Sequence, residues 1–450
     1  MKINKVKALL FFLLAGLAGI AVVFGKQDPV VIGETTNRDL QPVIQPDTTS
    51  QQVNFLTIEK IMEGQERLKK SPPLKFVEKT TKKRLRSGKT TTITEFVKKE
   101  IELSVLDTKT GEVFEKRYWL DEKEVEKANT IRKKYLENKE NLPSFTPENP
   151  AETFQIITNW WNNFNSDLSI AEVAGPEEEK NRYAVIGNKF LLGNDNFAYF
   201  SEQTGDNYSD MIYAPYSRIL HQPEFVEIGK NILNEWVATA FQKLRELKVM
   251  SKAFPEKLVV DTIQEEFVKN ILLTEQTDPS MLLLADNKEK QKIIERVLVR
   301  IALNGERAYR YTFSKTEASG LGQIMPKTYS YVDPKTKKRK GTIQIYPEAK
   351  LIKDVNIGRI DVVNGIMASG LVFDSHLGDA FRNMTKKEKA KLDKKLISEP
   401  DFINEVRAAV YNGGASKYMP ATATIFAGIK ETVLFVKKYK MIRDLKLFAP

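Results

Sequence analysis

Eighteen consecutive residues, Ala8 to Gly25, pass without a charge or a strongly polar side chain, directly after Lys2, Lys5 and Lys7. A helix of that length spans about 27 Å, close to the roughly 30 Å hydrocarbon core of a bilayer. Such a run must lie in lipid, be cut away, or be buried in a core. The positive flank comes first, which predicts that the remainder of the chain lies outside the cytoplasm. Residues 1–25 are therefore expected to be a single-pass anchor in the inner or cytoplasmic membrane, held through residues 8–25. Secretion after signal cleavage is the alternative, but the run is long for a signal core and no clear small-residue cleavage site follows it. Either way the folded part belongs to the cell envelope.

An exported chain often leans on disulfides, yet this one has no cysteine among its 450 residues. Its stability must come from a packed core, for which 41% hydrophobic residues suffice. The same absence excludes a cysteine nucleophile, a Cys-based zinc site and a lipidated N-terminal cysteine. Only two histidines, His221 and His376, are present, and neither has metal-like neighbours in sequence. An enzyme built from this chain is expected to use carboxylates, hydroxyls and backbone groups, with no metal or cofactor. The net charge of +11 favours an anionic partner, and outside the cytoplasm this means a membrane surface or anionic wall polymer rather than nucleic acid.

Composition divides the chain further. Residues 26–52, rich in Pro, Thr, Gln and Asp, read as a flexible linker. Residues 53–148 read as a basic stem, small α/β or partly disordered. Within it, residues 67–99 hold twelve Lys or Arg against Glu78 and Glu95, and a β-hairpin is expected over 92–120 around Lys109, Thr110 and Gly111. Residues 149–284 are expected to be a helical accessory region, with Phe154 to Trp161 in a helix, loop or short strand over 181–215, and amphipathic helices over 224–249 and 256–273. The Asp and Asn residues of 181–215 do not fit a calcium-loop spacing and read as turns.

The chemistry-bearing residues gather in 285–450. An amphipathic helix is expected over 289–304, with Gly305 and Glu306 at its end. After Ser314 come Glu317, Ala318, Ser319, Gly320, Leu321, Gly322, Gln323, Ile324, Met325, Pro326, Lys327 and Thr328. A second block runs from Leu351 to Gly358, and a third holds Arg407, Ala408, Ala409, Val410, Tyr411, Asn412, Gly413 and Gly414. Taken in order, the three blocks resemble the soluble lytic transglycosylase family, over about a third of the chain. Arg307, Glu317 and Gly322 depart from the family pattern, as do basic insertions around 335–340 and 386–395.

The resemblance implies a mainly α chain with a lysozyme-like catalytic domain at its C-terminal end. It also implies cleavage of the β-1,4 bond between N-acetylmuramic acid and N-acetylglucosamine in peptidoglycan, leaving 1,6-anhydromuramoyl ends. Carried over by position, Glu306 is the expected catalytic acid/base and Tyr411 its hydroxyl partner. Ser314, Gln323, Met325 and Asn412 are the expected substrate-binding residues, and Glu317 is a less favoured acid. Two alternatives remain at this stage. One is a muramidase that uses water at the same site; the other is a catalytically weak glycan-binding or scaffold protein with envelope protein partners.

Overall fold

The computed structural model describes residues 55–84, 88, 90–121, 123, 154–161, 166–172, 182–190, 211–277, 282, 287–310, 312, 314, 317–336, 341–415, 418–419, 424–425 and 430–448. The expected anchor and linker lie outside these residues. Among the described ones, no helix is long and apolar enough to cross a membrane. The described chain is mainly helical, with a sheet near its start.

Helix α1 (Ile58–Lys70) begins at Thr57, whose hydroxyl accepts from the Lys60 amide at 3.3 Å. Its buried residues Ile61, Gly64, Gln65 and Leu68 recur every three or four positions and face an antiparallel sheet. The strands are β1 (Phe76–Arg84), β2 (Thr90–Asp107), β3 (Val113–Asp121), β4 (Phe154–Trp161), β5 (Ser166–Glu172), β6 (Tyr183–Phe190) and β7 (Met211–Tyr213). Strand β2 organises them. Lys98 pairs with both Val77 and Asp121, and Ile101 with both Tyr118 and Phe190. Hence β1 and β6 share one edge of β2, end to end, and β3 takes the other. Strand β7 extends the sheet beyond β6, while β4 and β5 form a separate ribbon.

This region corrects two expectations. The described part of residues 67–99 is not disordered, because it forms the end of α1, β1 and the first half of β2. Charged groups of β2, β3 and β6 serve inside the fold. Buried Glu102 accepts from the Arg117 Nε and Nη2 at 3.0 and 3.1 Å and from the Ser71 hydroxyl. Buried Lys189 donates to the Ser71 carbonyl at 3.0 Å. Phe154 to Trp161 form a strand rather than a helix. Their aromatic and β-branched side chains suit a pleated surface better than a helical one, and Ile156 pairs with Ile170. The turn at Lys109–Gly111 joins β2 to β3 as a hairpin.

Helices then take over: α2 (Pro223–Glu246), α3 (Glu265–Gln276), α4 (Asn287–Asn304), α5 (Val362–Asn383), α6 (Lys386–Ser398), α7 (Phe402–Gly413) and α8 (Lys430–Asp444). The helical body starts well before residue 285. Phe267 of α3 packs edge-on against Phe373 of α5 at 5.1 Å and Tyr439 of α8 at 5.5 Å. One core runs from Ile61 and Leu106 through α2, α4 and α5 to Phe435 and Ile442.

The sheet and the helices meet at the end of α4. Asn304 exchanges both side-chain hydrogen bonds with the Ala214 backbone, at 2.8 and 3.1 Å. Arg307 donates to the Ile212 carbonyl at 2.9 Å and to Gln65 at 2.6 Å, while Gln65 donates to the Leu303 carbonyl at 3.1 Å. Arg307, a departure from the family pattern, therefore serves as a clamp across this seam.

Candidate active site

Helix α3 buries Phe267, Val268, Ile271 and Leu272 on its core face. It stops at Thr277, whose backbone is extended. Asp278 and Pro279 follow, and a proline disfavours helical backbone in the residue before it. Glu275 thus sits in the last turn, where the unpaired carbonyls make a carboxylate less welcome. Burial pushes its carboxyl up to about 8; Lys438 opposes that rise and Glu431 adds to it. A carboxyl in this setting keeps its proton at neutral pH.

Two contacts fix the end of α3. The Gln276 side-chain amide donates to the Leu321 carbonyl at 2.9 Å and the Gly320 carbonyl at 3.3 Å. Buried Lys438 of α8 donates to the Thr277 carbonyl at 2.6 Å. The first of these ties Glu275 to the Gly320–Met325 turn, across 44 positions of sequence.

That turn is built for closeness. Ser319 and Ile324 bond each other's backbones at 3.2 and 3.3 Å, with Gly320 at φ +74° and Gln323 at φ +48° between them. A Cβ on Gly320 would stand 2.1 Å from the Arg359 carbonyl, so only glycine fits. The guanidinium of buried Arg359 holds the turn from beneath, donating to the Ile324 carbonyl at 3.1 Å and to the Glu317 carbonyl. Burial lowers its pKa to about 10.

Tyr411, in the last turn of α7, closes the cluster. Its ring packs on Phe373 at 4.6 Å and its hydroxyl donates to the Gly322 carbonyl. Burial pushes its hydroxyl pKa up; the negative charge of Glu275 adds to this and a hydrogen bond with Ser369 opposes it. Tyr411 therefore remains a neutral phenol bonded to the turn.

The structure separates the other expected site residues from this cluster or gives them structural work. Glu306 is in a short 3-10 turn, its side chain 68% exposed and paired with Arg310 at 3.0 Å. It lies beside the seam, and nothing buries its carboxyl. Ser314 accepts from the Ala318 amide at 2.9 Å and so shapes the approach to the turn. Gln323 donates to the Thr312 and Gly320 carbonyls at 3.1 and 2.8 Å, bracing its own loop. Met325 is on the surface beside the turn, and Glu317 is exposed at φ +66°. Asn412 accepts from the Thr432 hydroxyl at 2.9 Å, which joins α7 to α8.

Glu275 carries no family motif: it is the penultimate residue of α3, ahead of Thr277, Asp278 and Pro279, and α4 stands between it and the glycine-rich turn in sequence.

The histidines lie elsewhere. His376 bonds the Val410 carbonyl at 2.9 Å, and burial lowers its pKa. His221 lies between Tyr216 at 2.8 Å and Glu295 at 3.1 Å. Among the described residues, no group of His, Asp and Glu is arranged to hold a metal ion. A shallow depression lined by Ala238, Phe241, Arg245, Val260 and Ile263 shares no residue with the Glu275 cluster. In comparisons with known proteins, no family model, no curated protein and no solved structure matches this chain.

Proposed function

We propose that the protein is a peptidoglycan lytic transglycosylase whose catalytic acid/base is Glu275, acting in a lysozyme-like domain anchored outside the cytoplasmic membrane. What supports the reading is Glu275 in the last turn of α3, its carboxyl pushed up to about 8 by burial, and Tyr411, whose hydroxyl bonds the Gly322 carbonyl. Tyr411 is in turn bonded to the Gly-Leu-Gly-Gln-Ile-Met turn whose sequence resembles the family. The acid/base role moves from Glu306 to Glu275 because glycosidic cleavage needs an acid that still holds its proton near pH 7, and burial supplies that property.

The chemistry follows from one carboxyl. Glu275 donates its proton to the glycosidic oxygen as the bond from the muramic C1 breaks. The muramic C6 hydroxyl, held on the same sugar, attacks C1 at the high effective concentration of an intramolecular group. The Glu275 carboxylate takes the hydroxyl proton as the C1–O6 bond forms, which restores the acid. The products are an anhydro end and a free 4-hydroxyl, with no water consumed. Tyr411 keeps the Gly320–Met325 turn in register with the acid, and that turn would line the approach of the glycan.

The test is digestion of isolated peptidoglycan by the full chain and by Glu275→Gln, with products read by mass spectrometry. Anhydro ends lost in Glu275→Gln support the reading. Ends heavier by one water would make the protein a muramidase at the same site. Equal digestion by both proteins, or by neither, removes Glu275 as the acid.

A further inference from the structure

Helix α6, one of the basic insertions that depart from the family pattern, takes no part in the reaction proposed above. In 13 residues it carries Lys386, Lys387, Lys389, Lys391, Lys394 and Lys395 against Glu388 and Asp393. Its inner side is held in place. Leu392 is buried with Leu377, Phe402 and Val406 in a small core of its own, apart from the main one. The Lys395 ammonium lies 4.4 Å from the Phe402 ring and 3.0 Å from Glu399. Thr385 and Glu388 close a capping box at the first turn, which occupies one of the two acids.

The outer side is a different surface. At about 100° per residue, Lys386, Lys387, Ala390, Lys391, Lys394 and Ile397 fall on one side of the helix, with the two acids at its margins. All of these outward residues are exposed, Ile397 by 84%. Among the described residues, Lys386, Lys387 and Lys394 form no salt bridge. A fixed row of ammonium groups around a bare isoleucine is complemented by phosphate beside the lysines and an apolar layer beneath the isoleucine. A wholly polar polyanion supplies the first alone. The interface of an anionic bilayer supplies both.

We propose that this face of α6 is a docking surface for anionic phospholipid headgroups, with Ile397 reaching the acyl boundary beneath them. It stands whether or not Glu275 is the acid of the reaction proposed above. Each lysine near such a surface is worth about a fivefold change in partition, so the four lysines supply most of the attraction. The contact should therefore weaken steeply with salt.

The chain has no cysteine, so Ala390→Cys gives the full-length protein a single thiol at the centre of the face. A fluorophore on it reports exposure to an aqueous quencher, with the protein reconstituted in phosphatidylcholine vesicles with or without phosphatidylglycerol. Quenching is read instead of vesicle association, because residues 8–25, expected to be an anchor, would supply association by themselves. With phosphatidylglycerol at low salt, quenching should fall by about threefold or more, and it should recover in about 1 M salt. Lys386→Gln, Lys387→Gln, Lys391→Gln and Lys394→Gln together should remove the protection, and Ile397→Ser should remove part of it.

Equal quenching in the two kinds of vesicle overturns the proposal, and that comparison depends on no further variant's folding. Protection that survives in the fourfold lysine variant overturns it too. Protection by soluble poly(glycerol phosphate) in phosphatidylcholine vesicles, with none from phosphatidylglycerol, would assign the face to a wall polymer and overturn the lipid reading.

Discussion

Helix α3 carries Glu275 in its last turn and Glu306 lies two residues past the end of α4, and the two surroundings differ sharply. Burial pushes the Glu275 carboxyl up to about 8, with Lys438 of α8 opposing that rise. Glu306 is mostly exposed, paired with Arg310, and next to residues that fasten the helices to the sheet. Position at a helix end is common to both. What distinguishes them is the company brought by distant chain, since Lys438 bonds the end of α3 across 161 positions of sequence.

The sharpest way to break this comparison is to neutralise each glutamate in turn. Glu275→Gln should lower peptidoglycan cleavage by about 100-fold or more, the scale expected for a general acid, while Glu306→Gln stays within about twofold of wild type. Release of soluble anhydro fragments measures both. The reverse ranking would return the acid/base role to Glu306.

A second contrast concerns the two glycines next to these ends, read by denaturant unfolding. Gly320→Ala adds a Cβ 2.1 Å from a carbonyl oxygen at φ +74° and should cost about 3 kcal/mol or more. Gly305→Ala, at φ +53° with nothing within 4 Å of the new Cβ, should cost only about 1–2 kcal/mol. Equal costs would mean that the turn beside Glu275 has room to relax.

Arg307→Ala should remove about 2 kcal/mol of stability by deleting charged hydrogen bonds to Ile212 and Gln65. The pH profile of cleavage should not move. If the profile shifts with the stability, the seam and the site are coupled and the two helix ends are not independent.

A further effect is in the pH dependence of stability. An unfolded glutamate releases its proton near about 4.3, whereas folded Glu275 keeps it up to about 8. Between these values the folded state binds more protons, so its stability falls as pH rises through that window and levels off above it. Glu275→Gln lacks this loss. Its melting temperature should gain on wild type by roughly 2–4 °C between pH 5 and 8, with no added gain in Glu306→Gln.

These contrasts bear on what could be read from the amino acids alone. The apolar periods of α2, α3 and α4 announce their helices, and the Gly320–Met325 turn and Tyr411 stand out by residue type. Glu275 does not, because its burial is a property of assembly, and α8, encoded more than a hundred residues later, bonds the end of its helix. Phe154–Trp161 misled for a related reason. A short apolar run fits a helix or a strand equally well until a pairing partner decides, and here β5 decides.

Strand β2 has a mechanical consequence. Among the described residues, it is flanked on both edges from Ile101 to Leu106, whereas from Thr90 to Thr94 it is paired with β1 alone. The nine residues from Thr90 to Lys98 reach about 30 Å at 3.4 Å per residue. The ribbon is an arm with its far end near Arg84 and its root at the Glu102, Arg117 and Ser71 cluster. A load at the tip arrives at that root magnified by the length of the arm, where the Glu102–Arg117 ion pair ties β2 to β3.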